Sequence, residues 1–424
     1  MSSFYRRILM FAPAFAPFAN PEAIVNSKLA LAFLDGGWEI DVISRNLIGI
    51  SKYDYGSDWI EPWLPLKRIT HEVNYNSGGK LTRYISTVNA AAQLGWHFID
   101  GCRWGYHALD LGLRLHRQKP YQVILSRSGP DSAHLPAMVL SQKTGLPWVA
   151  NWNDASGDKN LPPYGEGPDA RLGFFCERFL RDVARRANWH TFPSDRLKNY
   201  LCLYLGDETK KKGTTIPHAA LRSSLRTKKQ RNEDLTICYA GNISIQRNPE
   251  VFLRGLSDFL KGGDALGRVK LEVIGLTEIA IQELAIKLGI EKKVQMLGPM
   301  GYKETLRKLE SSDVLLILEA PCQEGIYLPA KFVDYVQAKR PILAVTPKKS
   351  TVRDFMKTYG GGLAVDCDSP KEIYDALKRL HTHWKDGTLE KRYMSDILYN
   401  LFSPEKITSC YEEIFGRIGV PRAN

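Results

Sequence analysis

Short apolar runs alternate with longer amphipathic stretches along most of the chain, and each run is closed by a Gly, Pro, Asn or Ser turn. In the first half the pattern predicts a buried strand from Arg7 to Ala12. A helix from about Pro21 to Leu34 follows, then a Gly36-Gly37 turn and a strand from Glu39 to Ser44, a βαβ opening. Further strands are expected at Val123–Ser126, Pro147–Asn151 and Trp189–Pro193, with helices at Ser132–Lys143 and Cys176–Ala187, and Ser194 capping the helix after it. The second half restarts the same alternation. Strands are expected at Leu235–Ala240, Lys270–Gly275, Val294–Gly298, Val314–Leu318, Ile342–Val345 and Gly362–Val365. Helices are expected at Pro249–Leu260, Thr277–Leu288, Tyr302–Ser311, Phe332–Ala338, Val352–Tyr359 and Pro370–Leu380. This grammar specifies parallel sheets covered by helices on both faces. The fold class is α/β, with two Rossmann-like doubly wound domains facing across a cleft. The expected division is 1–218, a linker at 219–234, 235–385, and a C-terminal helical segment at 386–424 crossing back to the first domain.

At 424 residues the chain exceeds one ordinary core, which agrees with two domains. The formal charge of +12 fits an anionic partner. No Lys/Arg tract or aromatic RNA-binding motif accompanies it, so nucleic acid is not expected. Seven scattered cysteines with no Cys-x-x-Cys pair point to a reducing compartment without a zinc site. No apolar run approaches the ~20 residues of a spanning helix. Arg6-Arg7 followed by Ile8 to Pro17 imitates a signal peptide, but the βαβ context favours a first strand.

Two stretches carry the chemistry. Tyr239-Ala240-Gly241-Asn242-Ile243-Ser244-Ile245-Gln246-Arg247 reads as a strand, a Gly turn and a loop bearing a cation ahead of a helix. Glu324-Gly325-Ile326-Tyr327-Leu328-Pro329-Ala330-Lys331-Phe332-Val333-Asp334-Tyr335 places a carboxylate, a cation and a second carboxylate around a loop entering a helix. Backbone and cations suit a diphosphate, and a carboxylate suits ribose hydroxyls. With these residues, Leu297-Gly298, the Ser312 to Leu316 strand and Pro341 to Ala344, the chain resembles GT-B-fold glycosyltransferases, most of all the retaining, nucleotide-sugar-dependent family 4. The likeness is strongest over about 235–382, and weaker over 7–45, 123–154 and 189–218.

The resemblance implies a donor-binding set of Gly241, Asn242, Arg247, Leu297, Gly298, Glu324, Gly325, Ile326, Tyr327, Leu328, Lys331 and Asp334. Arg247 and Lys331 would meet the diphosphate, Asp334 both ribose hydroxyls, and residues 325–328 would offer backbone N–H groups. The chain departs from the family at four points. Asn242 stands where a first cation is usual. The paired-Glu pattern places its first member at Ile326, with Glu324 the nearest acid, and a subgroup's Pro-x-Lys-x-x-[Asp/Glu]-Tyr is matched instead by Pro329 to Tyr335. Asn20-Pro21 replaces a Gly-Gly loop, and His218 lies near the hinge where Asn-Gly is usual. Asn20, Arg127, Ser128, His134 and Asp154 are the acceptor-side candidates, Asp154 being the best placed for catalysis with Arg247 and Lys331. For His134 the competing reading is simple packing. Asp366-Cys367-Asp368 imitates a metal motif, but Ser369-Pro370 makes helix capping the better reading, so no metal or other cofactor is expected.

The aromatics Tyr84, Trp96, Phe98, Trp104 and Tyr106, with Arg83, His97 and Arg103, fit either core packing or a membrane-facing patch. The expectation is a metal-independent hexosyltransferase in the cytoplasm, in peripheral contact with the inner face of the membrane. It would move sugar from a nucleotide sugar to a lipid-linked or cell-surface glycan acceptor with retention. A same-fold epimerase or hydrolase, and a non-catalytic nucleotide- or glycan-binding protein, are the alternatives.

Overall fold

The computed structural model describes residues 6–18, 20–46, 59–75, 79–222, 233–262 and 268–421. Much of the 219–234 linker expectation falls on 223–232, outside the described residues. The chain divides into two units, Met1–Ala219 with Pro404–Asn424, and Ala220–Ser403.

The first unit is built on seven parallel strands: β1 (Arg7–Phe11), β2 (Glu39–Arg45), β3 (Thr70–Val73), β4 (Val123–Arg127), β5 (Trp148–Asn151), β6 (Trp189–Phe192) and β7 (Gly213–Thr215). Their order is β3-β2-β1-β4-β5-β6-β7, so the direction of winding reverses between β1 and β4. The basic-then-apolar N-terminal run is therefore a central strand, buried at every residue. Burial on both faces explains why β1, β4 and β5 read as continuous apolar runs rather than alternating ones. Arg7 is tolerated there because Asp41 and Glu39 pair with its guanidinium at 2.7 and 3.0 Å. The helix Pro404–Arg417 lies against the helix Pro21–Asp35. Tyr411 meets Phe33 edge-on at 5.3 Å, and the Thr408 hydroxyl donates to the Ala32 carbonyl at 3.0 Å. The two helices before it, Leu389–Tyr393 and Asp396–Leu401, belong to the second unit.

The second unit carries β8 (Leu235–Ala240), β9 (Val269–Ile274), β10 (Val294–Gly298), β11 (Val314–Leu318), β12 (Ile342–Thr346) and β13 (Gly362–Asp366). All are parallel, in the order β10-β9-β8-β11-β12-β13. Winding reverses between β8 and β11, and both strands are buried throughout. Each fully buried Leu or Ile there contributes about 1.5–3 kcal/mol of transfer free energy. In doubly wound sheets the crevice at such a reversal, beyond the carboxyl ends of the strands, is where ligands bind. Among the described residues no helix is long and apolar enough to cross a membrane.

Candidate functional site

Gly241 follows β8 directly with φ of +125°, a conformation that a side chain makes costly. A β-carbon there would sit 2.8 Å from Lys331 Nζ. The missing side chain thus lets Lys331, in the first turn of the helix Ala330–Gln337, reach the end of β8. Its ammonium donates to the Tyr239 hydroxyl at 2.7 Å and lies 4.0 Å from the centre of that ring. The Tyr239 hydroxyl in turn donates to the Asn242 carbonyl at 3.0 Å. Burial holds the Lys331 pKa well below the usual lysine range, the charge of Arg247 adds to this, and Asp334 opposes it. Two cations whose charges oppose each other, beside a strand end, describe a site that an anion would relax. Arg247 closes a short 3-10 turn, Ile245–Arg247, ahead of the helix Glu250–Lys261. Asn242, at the position of the missing cation, ties two loops together, its Oδ1 accepting from the Leu276 N–H at 3.1 Å.

Asp334 sits on the second turn of the Lys331 helix and is buried, and the Tyr302 hydroxyl donates to its Oδ1 at 2.7 Å. Tyr335 locks this turn to β8, accepting from the Ala240 N–H at 2.9 Å. Leu297 and Gly298 end β10, two strands from β8, where the Gly298 carbonyl accepts from the Gly275 N–H at 2.9 Å. In the donor loop Glu324 is half-buried, and Ile326 and Leu328 are buried. The expectation that Gly325 offers its N–H to a ligand is corrected. That N–H donates to the Lys349 carbonyl, and the Gly325 carbonyl accepts from Thr351, because the loop bridges to the turn before the helix Thr351–Tyr359.

In the first unit Asn20 caps the helix Pro21–Asp35, its Oδ1 accepting from the Ala23 N–H at 2.8 Å. Arg127 is buried and donates to Asn26 at 2.7 Å and to the Tyr411 hydroxyl at 3.3 Å. The buried Ser128 accepts from the Asn153 N–H at 2.8 Å. His134 is corrected: it is fully buried, bonded to Ser126 at 2.7 Å and packed on Trp152 at 4.5 Å, so it is a core residue. Burial pushes it down to about 3, with the charges of His190 and Arg127 adding. Asp154 is exposed, and beside it stands Glu22, which the sequence did not single out. Asn153 donates to Glu22 at 2.7 Å. Burial first, then the Asp154 charge, raise Glu22 to about 8, against Asn153 and Arg127. The two carboxyls therefore hold a proton near neutrality.

The ligand atoms of Asp366, Cys367 and Asp368 lie within 4.8 Å of one another. Their neighbours explain the arrangement. Asp366 accepts from the Asp368 N–H, and Ser369 caps the helix Pro370–Lys385 through the Glu372 N–H. Burial, followed by the two flanking carboxylates, pushes the Cys367 thiol up to about 12. Of the aromatic stretch, Trp104 and His97 are core residues, whereas Trp96 and Tyr84 are exposed.

No protein-family model and no curated protein matches the chain. Its fold is similar to solved structures over nearly full length. A glycosyltransferase from Rickettsia africae is 13% identical, with 98% of this chain and 99% of that one covered at a TM-score of 0.65. Sucrose-phosphate synthase from Thermosynechococcus elongatus is 12% identical, with 97% and 99% covered at 0.66. Anabaena HepE, in complex with UDP and glucose, is 12% identical, with 97% and 100% covered at 0.61. The fold is thus that of GT-B glycosyltransferases, two Rossmann-like α/β domains.

Proposed function

We propose that the chain is a metal-independent, retaining glycosyltransferase of family 4 type that takes a hexose from a nucleoside diphosphate sugar. The observation that carries this reading is the convergence of the Gly241 turn, Lys331 and Arg247 at the strand reversal, with Asp334 on the same helix as Lys331. In the reaction the bond from the anomeric carbon to the diphosphate breaks and a bond to the acceptor hydroxyl forms on the same face. The hydroxyl proton leaves with the diphosphate. Arg247 and Lys331 stabilise the charge that grows on the leaving group, and Asp334 holds the ribose. HepE has been captured with UDP and with UDP-glucose, which supports a uridine donor. Arg247→Ala should lower turnover at saturating donor on the order of a hundredfold. Its effect on nucleotide affinity, read by calorimetry, should be smaller. Equal losses in both would make Arg247 a holder of ligand only, and no loss in either would remove it from the site.

A second reading is a nucleotide-sugar epimerase or hydrolase. It is favoured by the proton-sharing Glu22–Asp154 pair and by likeness to a UDP-N-acetylglucosamine 2-epimerase, at 12% identity and a TM-score of 0.54. Incubating the protein with UDP-sugars and no acceptor separates the two. Rapid appearance of epimer or free sugar in NMR spectra would favour the second.

The acceptor is proposed to be a lipid-linked or cell-surface glycan, presented at the inner face of the membrane. A run of aromatic contacts, exposed at both ends, supports this. Trp96 is 6.2 Å from Phe98, Phe98 is 5.0 Å from Phe175, and Phe175 is 5.4 Å from Phe174. Trp96 and Phe174 are 54% and 69% exposed, and exposed arginines 171, 181, 185 and 186 lie nearby in sequence to Phe174.

A further inference from the structure

Glu319 is the first residue beyond β11, at the reversal point of the second sheet, and is used by none of the roles above. Its N–H donates to the Val345 carbonyl at 3.0 Å, which fixes it beside β12. Its Oε1 lies 3.4 Å from where a Gly325 β-carbon would be, so the carboxyl packs on the backbone of the donor loop. Its Oε2 is buried with no hydrogen-bond partner among the described residues. Arg247 faces it from the loop after β8, and Arg353 from the helix Thr351–Tyr359. Cys322 faces it from its own loop, with Glu324 acting on the same thiol, and the hydroxyls of Thr346 and Ser350 complete its surroundings. Arg353 is already engaged with the carbonyls of Pro347, Ala364 and Thr346. Arg247, whose charge acts on both Glu319 and Lys331, is the cation that the proposed donor site assigns to the diphosphate.

We propose that Glu319 is a proton-linked partner of Arg247: its carboxylate balances the guanidinium in the empty site and takes up a proton when a diphosphate claims that guanidinium. The proposal rests on reading Arg247 as a diphosphate ligand. A carboxylate with a buried, unpartnered oxygen is costly to keep charged unless a cation is near. Burial raises Glu319 to about 7, against Ser350, Arg247, Thr346 and Arg353, so both protonation states are populated near neutrality. A diphosphate brings negative charge and diverts the positive charge, and both changes favour the neutral acid. The proton comes from solvent, and no other bond changes. Reciprocity then requires nucleotide affinity to rise as pH falls through this range. A neutral Glu319 also spares the leaving diphosphate a repulsive neighbour as its charge grows.

The test is calorimetric titration of UDP into the whole protein and into its Glu319→Gln variant at pH 7, in two buffers of different ionisation heat. The titration of UDP's own phosphate contributes equally to both proteins. The wild type should take up roughly half a proton more per UDP than the variant, the change from half to full protonation of one carboxyl. It should also show a fall in affinity between pH 6 and 8 that the variant lacks. Equal proton uptake and equal pH slopes, with UDP bound to both, would overturn the proposal while leaving the donor site intact. If neither protein binds UDP or any other nucleoside diphosphate, the donor-site reading falls and takes this one with it. Should Glu319→Gln not fold, infrared difference spectra of the wild type decide. A protonated-carboxyl band on adding UDP supports the proposal, and its absence overturns it.

Discussion

At the scale of single residues, the candidate site depends on side chains whose charge the protein environment sets. Asp334 illustrates this. Its carboxylate is oriented by Tyr302, whose hydroxyl is held well above the usual tyrosine range by burial and then by Asp334 itself. Asp334→Ala should weaken nucleotide binding by about 1–3 kcal/mol, the scale of a lost charge-assisted hydrogen bond. Tyr302→Phe should weaken it less, because the carboxylate remains but loses its orientation. Calorimetry with UDP reads both, and unchanged affinity in a folded Asp334→Ala protein would refute the ribose assignment. The buried histidines make a different forecast. His134 and His190 are depressed to about 3 and about 4, chiefly by burial. Both lie below the free value, so as pH falls through about 6.5 the unfolded chain binds protons that the folded chain refuses. Their contribution is present above about 6.5 and lost as pH falls from there to about 3 for His134 and about 4 for His190. Each costs up to about 1.4 kcal/mol per pH unit over that window. Thermal melts should show the midpoint falling below pH 6.5, and His134→Gln should flatten the fall.

At the scale of elements, the glycines of the second unit decide how strands approach one another. Gly362 opens β13 with φ of +149°, and a β-carbon there would lie 1.8 Å from the Ile342 carbonyl oxygen on β12. Gly362→Ala should therefore cost roughly 1–3 kcal/mol in backbone strain alone, with the clash on top, and lower the melting midpoint sharply. Gly145→Ala is the control: φ is +74° but nothing stands within 4 Å, so it should cost only about 1 kcal/mol. A Gly362→Ala protein as stable as Gly145→Ala would contradict the β12–β13 register. Two causes hid elements from the sequence pattern. β3 and β7 are edge strands, mostly half-buried, so their apolar periodicity is weak. The helices Lys80–Gln93 and Cys102–Gln118 were hidden because their aromatics read as a single cluster. Leu81, Tyr84 and Ile85 are exposed on the first, while Trp104 is buried on the second.

At the scale of the whole molecule, the cations assigned to the diphosphate are side chains, so transfer should survive chelation. Turnover measured with and without EDTA checks this. Loss on EDTA with recovery on magnesium or manganese would return attention to Asp366 and Asp368, which lie close enough to share an ion. The +12 charge and the exposed Trp96 and Phe174 predict binding to vesicles containing phosphatidylglycerol, weakened as salt rises. Cosedimentation should show Trp96→Ala and Phe174→Ala together reducing that binding. Binding unchanged by both substitutions would move the membrane contact elsewhere.

The alternation of apolar runs and amphipathic stretches was enough to define two parallel α/β sheets, because strands buried on both faces must be apolar throughout. The Gly241 turn, Arg247, Lys331 and Asp334 could be singled out for a related reason: strand ends are visible in the pattern, and residue types that suit a diphosphate follow them, a role that belongs to the proposal above. Glu22, Tyr239, Tyr302 and Glu319 were not legible. An acid in a helix's first turn, a tyrosine in or after a strand, and an acid ending an apolar run are ordinary in sequence. Their significance comes from neighbours far along the chain: Asp154 for Glu22, Lys331 for Tyr239, Asp334 for Tyr302, and Arg247 with Val345 for Glu319. Folding alone sets those distances and the burial that turns them into shifted charges. The same is true in reverse for His134, whose position after a strand suggested a site. The packing of Trp152 and Ser126 around it made it part of the core.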